Sequence, residues 1–360
     1  MTSHPVRKRV PLPEISSRAW EHPADKGALV ALRKLKGFDT LLKKLSGLFN
    51  ERAVRLQFLG SAVRVDERQF PFLHTLLLEA ATGLDARYVP ELYVAANPFP
   101  SAMTIGMDKP IIVVSSGLVE LLDEEELRFV LGHEMGHAMS GHAVYQTLLL
   151  RLLALSGLLF VLAIGIRLII AALMEWSRKA ELSADRAGLL ATQDPAVAFR
   201  VHMKLASGGH LEHLDTTSFF AQGAEYDSSG DLRDSLLKML LVERATHPFA
   251  VVRASELRKW VDSGAYTQVL SGDYPRRSSD DQADVSEAAQ EAARHYADAF
   301  RQSQDAVAKL LRDFSGVATS VRDWMGGAFG KTNGDQEGGP KGGPEDGPED
   351  NPSSGPDKQD

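Results

Sequence analysis

The chain of 360 residues contains no cysteine. That one absence removes disulfides, thiolate zinc sites and cysteine nucleophiles together. An excess of positive charge is also missing. Lys and Arg number 40 against 48 Asp and Glu, a net charge of −8, so a nucleic-acid partner has no electrostatic support. No apolar run follows the basic residues of the opening MTSHPVRKRVPLPEISSRAWEHP. A secretory signal is therefore not expected, and the cytoplasm, or the cytoplasmic side of a membrane, is the expected location. Internal repeats are absent as well. What is present is 44% hydrophobic and 24% charged residues, the balance of a globular chain that can bury a real core.

Residues 1–22 read as an irregular arm, with prolines and no period. From Ala24 to Phe49, Leu29, Leu32, Leu35, Leu41, Leu42 and Leu45 fall at helical spacing. FPFLHTLLLEAA (Phe70–Ala81) predicts another helix. ELYVAA (Glu91–Ala96), SAMTIG (Ser101–Gly106) and PIIVVS (Pro110–Ser115) predict three short strands, with MDKP as the turn between the last two. Asp123 then opens a helix and is followed by three glutamates. Aspartate before the helix and glutamate at its third position form a capping box, and the acidic first turn suits the positive end of the helix dipole. The expected class is α+β, predominantly helical, with a small sheet just before this helix. The main domain is expected over residues 23–265 and a linker with an amphipathic helix over 266–329. An acidic, Gly/Pro-rich tail over 330–360 has no large apolar residue to offset its ordering entropy, so disorder is expected there.

The helix opened by Asp123 carries VLGHEMGHAMSGH (Val130–His142). Positions i and i+4 lie one above the other on a helix, so His133 and His137 can offer two imidazole nitrogens to one ion. Glu134 points about 100° away, beside the ion, where a base acting on water belongs. This is the HExxH pattern of zinc proteases, in which zinc lowers the pKa of a water to about 7. The bland alternative is a buried helix with two polar rings. Gly132, Gly136 and Gly141 argue against it, because each costs about 1 kcal/mol against alanine in a helix. Small residues make sense where other backbone must come close. His142 would point about 140° from His137 on a continuous helix, so a capping or surface role is expected for it rather than ligation.

Catalytic zinc needs a third protein ligand and an open position. Downstream, WSRKAELSADRAG (Trp176–Gly188) places Glu181 and Asp185 on one helical face. Glu181 is the expected third ligand. Asp185 is suited to accept the free ring N–H of a ligand histidine and so fix its tautomer. Glu175 with Lys179 reads as an ordinary surface pair, and Ala180, Ala184, Ala187 and Gly188 give this helix a small face able to pack closely.

The blocks SSGLVELLDEEELRFVLGHEMGHAMSGH, ELSADRAG and THPFAVVRASEL, in this order, resemble the M48 family of zinc metalloendopeptidases, the Ste24-like and HtpX-like proteases. With the preceding strands the resemblance spans roughly Leu92 to Leu257. It implies a gluzincin-type domain with one zinc ion per chain, an active-site helix packed on a small sheet, and an edge strand that holds a polypeptide substrate in extended form. On this sequence that strand would fall within Asn97–Gly106, which makes Asn97, Ser101, Ala102, Met103 and Thr104 the candidate substrate-binding residues. A strand edge pairs with main chain and makes little sequence demand. By the same resemblance His247 is the candidate donor to the oxyanion, with occupation of the open zinc position as its alternative. Arg253 would orient carboxylates near the site.

LLLRLLALSGLLFVLAIGIRLIIAALM (Leu148–Met174) lies between the two ligand-bearing segments. One crossing of a bilayer would leave His137 and Glu181 on opposite sides, and two crossings need about 40 residues plus a turn. Arg151 and Arg167 add about 2.5–3.5 kcal/mol each at a helix centre. A bent helical pair turning near Ser156-Gly157 is expected, buried against the body or touching a membrane. HtpX-like members carry longer membrane inserts here, and the chain departs from them in this. Three functions remain open on sequence. The first is a zinc endopeptidase, with a role in protein quality control. The others are a chaperone-like protein with a structural zinc and a membrane-associated interaction protein. Glu134 favours the first, because a scaffold has no need of a base.

Overall fold

The computed structural model describes residues 8–33, 51–156, 164–228 and 249–282, with isolated positions at 290 and 294. The second half of the helix expected over 24–49, the turn of the apolar pair, His247, the C-terminal helix and the tail lie outside the described residues.

Helix α1 (Pro23–Arg33) is followed by α2 (Glu51–Ser61), strand β1 (Ala62–Arg64) and α3 (Pro71–Gly83). Strands β2 (Leu92–Ala95), β3 (Ala102–Ile105) and β4 (Ile111–Ser115) come next, then the short α4 (Ser116–Leu121). The sheet order is β1-β2-β4-β3, with β2 parallel to β4 and the other pairs antiparallel. β4 is buried at every position, as an inner strand of the Val/Ile type should be. β3 is the outermost strand on its side.

Behind the sheet run α5 (Glu124–Met139) and α7 (Ile164–Thr192), with α6 (His142–Ser156) between them in the chain. α5 starts where the sequence predicts. The Asp123 side chain accepts from Glu126 N, and the Glu126 side chain accepts from Asp123 N. α8 (Pro195–Ser207), α9 (Thr216–Ser228), α10 (Ala250–Asp262) and α11 (Ala265–Leu270) complete the described fold. The main core gathers α3, the inner face of the sheet, α5, the second half of α7 and α8. Leu12, Ile15 and Trp20 of the N-terminal segment are buried in it too. A second cluster joins Ala28 and Leu32 of α1 to Leu148, Leu149 and Leu152 of α6 and to Leu173 and Trp176 of α7. The described part of the apolar pair thus packs on α1. Its second arm is no separate helix: it continues without a break into the segment bearing Glu181. No helix among the described residues is long and apolar enough to cross a membrane.

Candidate metal centre

Where α5 crosses α7 the two backbones come unusually close. A Cβ built on Gly132 would stand 2.4 Å from the Ala191 Cβ, and one on Gly136 would stand 2.5 Å from the Ala187 Cβ. Carbon atoms in contact sit about 3.5–4.0 Å apart, so neither position accepts a side chain without moving a helix. Gly141 serves differently. It lies past the end of α5 at φ +71°, a left-handed conformation suited to glycine, and it breaks the chain between α5 and α6.

The close crossing brings three side chains together. His133 Nε2 and His137 Nε2 are 3.1 Å apart. Glu181 Oε2 is 3.5 Å from His133 Nε2, and Glu181 Oε1 is 3.3 Å from His137 Nε2. All three residues are buried. A tetrahedral ion with ligands at about 2.0–2.1 Å has ligand–ligand edges of about 3.3 Å, so two nitrogens 3.1 Å apart with a carboxylate that turns one oxygen toward each are spaced for one ion. Electrostatics point the same way. Two buried carboxylates, Glu181 and Asp185, face the imidazoles, with Arg253 as their nearby guanidinium. Burial alone would lower the His133 pKa, but hydrogen bonds to Asp185 and Glu181 override it and carry it up to about 9. Burial holds His137 down at about 4. The residues present therefore suit a divalent cation.

Glu134 stands beside the triangle, its Oε1 4.0 Å from His133 Nε2. Burial pushes its carboxyl up to about 7. The Thr104 hydroxyl lies 2.6 Å from Glu134 Oε2 and 3.1 Å from the Glu134 carbonyl oxygen, tying β3 to the start of the HExxH sequence. A cavity of about 180 Å³ opens over Glu134, His137 and Glu181. Ala102, Met103 and Thr104 form one wall of it, and Leu149, Leu150, Leu153 and Met174 line it as well.

The strand residues divide into two groups. Ser115 N donates to Ser101 O, and Ser101 N donates to Ser115 Oγ, so the Ser101 backbone faces β4. Alternation along an antiparallel pair then turns the backbone groups of Ala102 and Thr104 away from β4, toward the free side. The Gly106 N–H, next in that phase, donates to Thr147 Oγ1 on α6, which marks where the open edge ends. Asn97 sits before the strand. Its carbonyl accepts from Gly117 N and its side chain accepts from Phe99 N, which shapes the loop.

Outer partners hold the centre. His133 Nδ1 is 3.0 Å from Asp185 Oδ1. Arg253 donates to both Asp185 oxygens, at 2.8 and 2.5 Å, and its Nη1 lies 3.2 Å from Glu181 Oε2. Burial would raise the Asp185 pKa, yet the Arg253 guanidinium holds that carboxyl well below the usual range. His142 is not at the surface. It is buried, with its Nδ1 3.1 Å from His137 Nδ1 and its Nε2 3.0 Å from Asp25 Oδ2. His202 is also buried, 3.6 Å from Asp185 Oδ2, and burial depresses its pKa to about 4. Asp25 and His202 carry no local pattern that would single them out. His247 lies outside the described residues.

A sulfur-free set of two imidazoles and a carboxylate, with one more carboxyl standing beside it, is the arrangement of a metal-dependent peptidase. The model described as Peptidase family M48 matches residues 67–261. The chain is 36% identical over 277 residues to plastoglobule-localized metallopeptidase 48, chloroplastic, of Arabidopsis thaliana, covering 74% of this chain and 80% of that protein. A protease HtpX homolog of Tropheryma whipplei (strain Twist) is 31% identical over 157 residues, 36% of this chain and 53% of that protein. A protease HtpX homolog of Thermoplasma acidophilum is 29% identical over 115 residues, 31% of this chain and 35% of that protein. No solved structure matches. The chain belongs to peptidase family M48. It is a metallopeptidase, and its substrate is polypeptide.

Proposed function

We propose that the protein is a zinc-dependent endopeptidase acting on extended, unfolded polypeptide. The observation that carries this reading is the convergence of His133 Nε2, His137 Nε2 and the Glu181 carboxylate beside a buried Glu134. His133, His137 and Glu181 would hold the ion. Zinc there would supply a Lewis acid for the scissile carbonyl and lower the pKa of a water. Glu134 is the residue placed to take a proton from an attacking water and to return it to the leaving amine. Its carboxyl stands beside the three proposed ligands and is buried, where a base acting on water belongs. Thr104 holds Glu134 in place. Asp185, clamped by Arg253, keeps the His133 proton on Nδ1 and so turns the Nε2 lone pair inward. His247 is assigned to the oxyanion by family resemblance.

The substrate main chain pairs with the outward groups of Ala102 and Thr104 as a fifth strand. Leu149, Leu150, Leu153 and Met174 beside the reacting centre favour a bulky apolar side chain near the cut bond. Recognition through main chain and apolar side chains suits unfolded protein of many sequences, so a role in quality control follows. The test is metal analysis together with cleavage of an unfolded protein. About one zinc per chain is expected, with Glu134→Gln retaining the metal and losing cleavage. Full activity in that variant would end the mechanism.

A further inference from the structure

The two histidines of the centre are held unequally. The outer nitrogen of His133 meets a carboxylate directly. The outer nitrogen of His137 meets another imidazole, His142, whose far side reaches Asp25. Asp25 comes from the first turn of α1, 112 positions from His137 in the chain, and is almost fully buried, with 1% relative exposure. Its Oδ1 accepts from Trp176 Nε1 at 2.9 Å, and its Oδ2 accepts from Ser183 Oγ at 2.6 Å. We propose that Asp25 is a positioning residue for the metal centre, acting through His142 to fix the ring of His137.

The direction of each hydrogen bond follows from what the groups can do. An ionised carboxylate only accepts, so a His142 ring with a single proton presents it on Nε2 to Asp25. Its Nδ1 is then bare and accepts. His137 Nδ1 must therefore carry the proton and donate to it. That leaves the His137 Nε2 lone pair facing His133 and Glu181, the orientation a ligand needs. Gln146 approaches the same His137 Nδ1 at 3.4 Å, a longer and weaker contact than the 3.1 Å to His142. Trp176 fixes the carboxylate and also packs edge-on against the His142 ring, with centroids 5.6 Å apart. The N-terminal helix thereby completes a centre whose other parts come from residues far down the chain.

This inference rests on the zinc reading above, and the experiment separates the two. Zinc affinity of the full-length protein is measured against a competing chelator. The variants are Asp25→Asn, His142→Phe, His142→Asn, the double variant Asp25→Asn with His142→Phe, and Ser16→Ala, with thermal unfolding followed in parallel. Asp25→Asn and His142→Phe are each expected to weaken zinc binding about 10–100-fold, the usual loss for a partner of a ligand histidine. His142→Asn places an amide oxygen where Nδ1 stood and restores part of that loss. The double variant binds no more weakly than His142→Phe. Ser16→Ala removes a hydrogen bond from a buried serine to Asp280, away from the centre, and lowers thermal stability, yet leaves zinc affinity unchanged. In zinc-loaded protein labelled with ¹⁵N-histidine, the protonated ring nitrogen of His137 is Nδ1, and its hydrogen-bonded proton exchanges faster in His142→Phe. Additive losses in the double variant, or an equal loss in Ser16→Ala, would reduce Asp25 to a structural anchor and overturn the proposal. So would tight, unchanged zinc binding in the single variants. Parent protein that binds no zinc would overturn the metal centre itself.

Discussion

Gly136→Ala sets two effects of opposite sign against each other. Alanine improves helix propensity by about 1 kcal/mol at an interior position. The added Cβ, however, would stand 2.5 Å from the Ala187 Cβ and 3.4 Å from the Ala184 Cα. Neither of those atoms belongs to a side chain that can swing aside, so α5 and α7 must separate by about 1 Å to restore carbon contact. Overpacking of this kind costs about 1–3 kcal/mol, which equals or exceeds the propensity gain. The larger consequence falls on the centre. Glu181 lies on the displaced helix, within two turns of Ala187, while both histidines stay on α5. Metal ligands tolerate errors of about 0.2 Å, so a shift several times larger is expected to weaken zinc binding by at least tenfold. Thermal unfolding of metal-free protein and chelator competition read the two effects separately. Gly60→Ala on α2, where a Cβ meets nothing within 4 Å, is the control and should stabilise without touching zinc. A Gly136→Ala protein with raised Tm and parental zinc affinity would refute the crossing argument.

Glu134→Gln should also change the pH dependence of metal-free stability. Because burial lifts this carboxyl from 4.5 to about 7, the folded state holds its proton where the unfolded state has lost it. Stability therefore falls as pH rises through that window, and above it the glutamine variant should be more stable by roughly 3 kcal/mol. Thermal melts between pH 4 and 8 check this, and parallel curves for the two proteins would refute it. Glu181→Ala should weaken zinc binding far more than Glu175→Ala, since Glu175 pairs with Arg178 and Lys179 on its own helix; equal losses by chelator competition would mean the wrong glutamate. Leu153→Asp puts a charge on the apolar wall of the cleft and should shift cleavage of a peptide library away from bulky apolar residues while zinc content stays near one. An unchanged cleavage pattern would show that this wall does not select.

Features written in local patterns were readable in the sequence. The capping box, the strands around MDKP and the histidine pair each depend on residues within a few positions of one another. So does the pairing of Glu181 with Asp185, although its meeting with His133 is a tertiary fact. Rotation along a continuous helix places His142 away from the centre, but Gly141 ends α5 and resets that angle. Asp25 could not be found at all, because a buried aspartate in a helix's first turn resembles any favourable helix start. The apolar character of residues 148–174 was plain, yet period and composition do not say that Leu149, Leu150, Leu153 and Met174 would face a cleft. At Gly132 and Gly136 a close approach was legible from the glycines and from the small face of the later helix, but which residues meet there was not.

α7 runs unbroken for 29 residues, with Met174 in the cleft wall and Glu181 in the metal triangle. Seven residues of helix separate them, about 10 Å of stiff rod. A side chain pressing on the wall and an ion pulling on the carboxylate therefore load the same beam. At Met174, peptide fit and metal geometry are therefore expected to be mechanically linked, unlike at the part of the wall that α6 supplies.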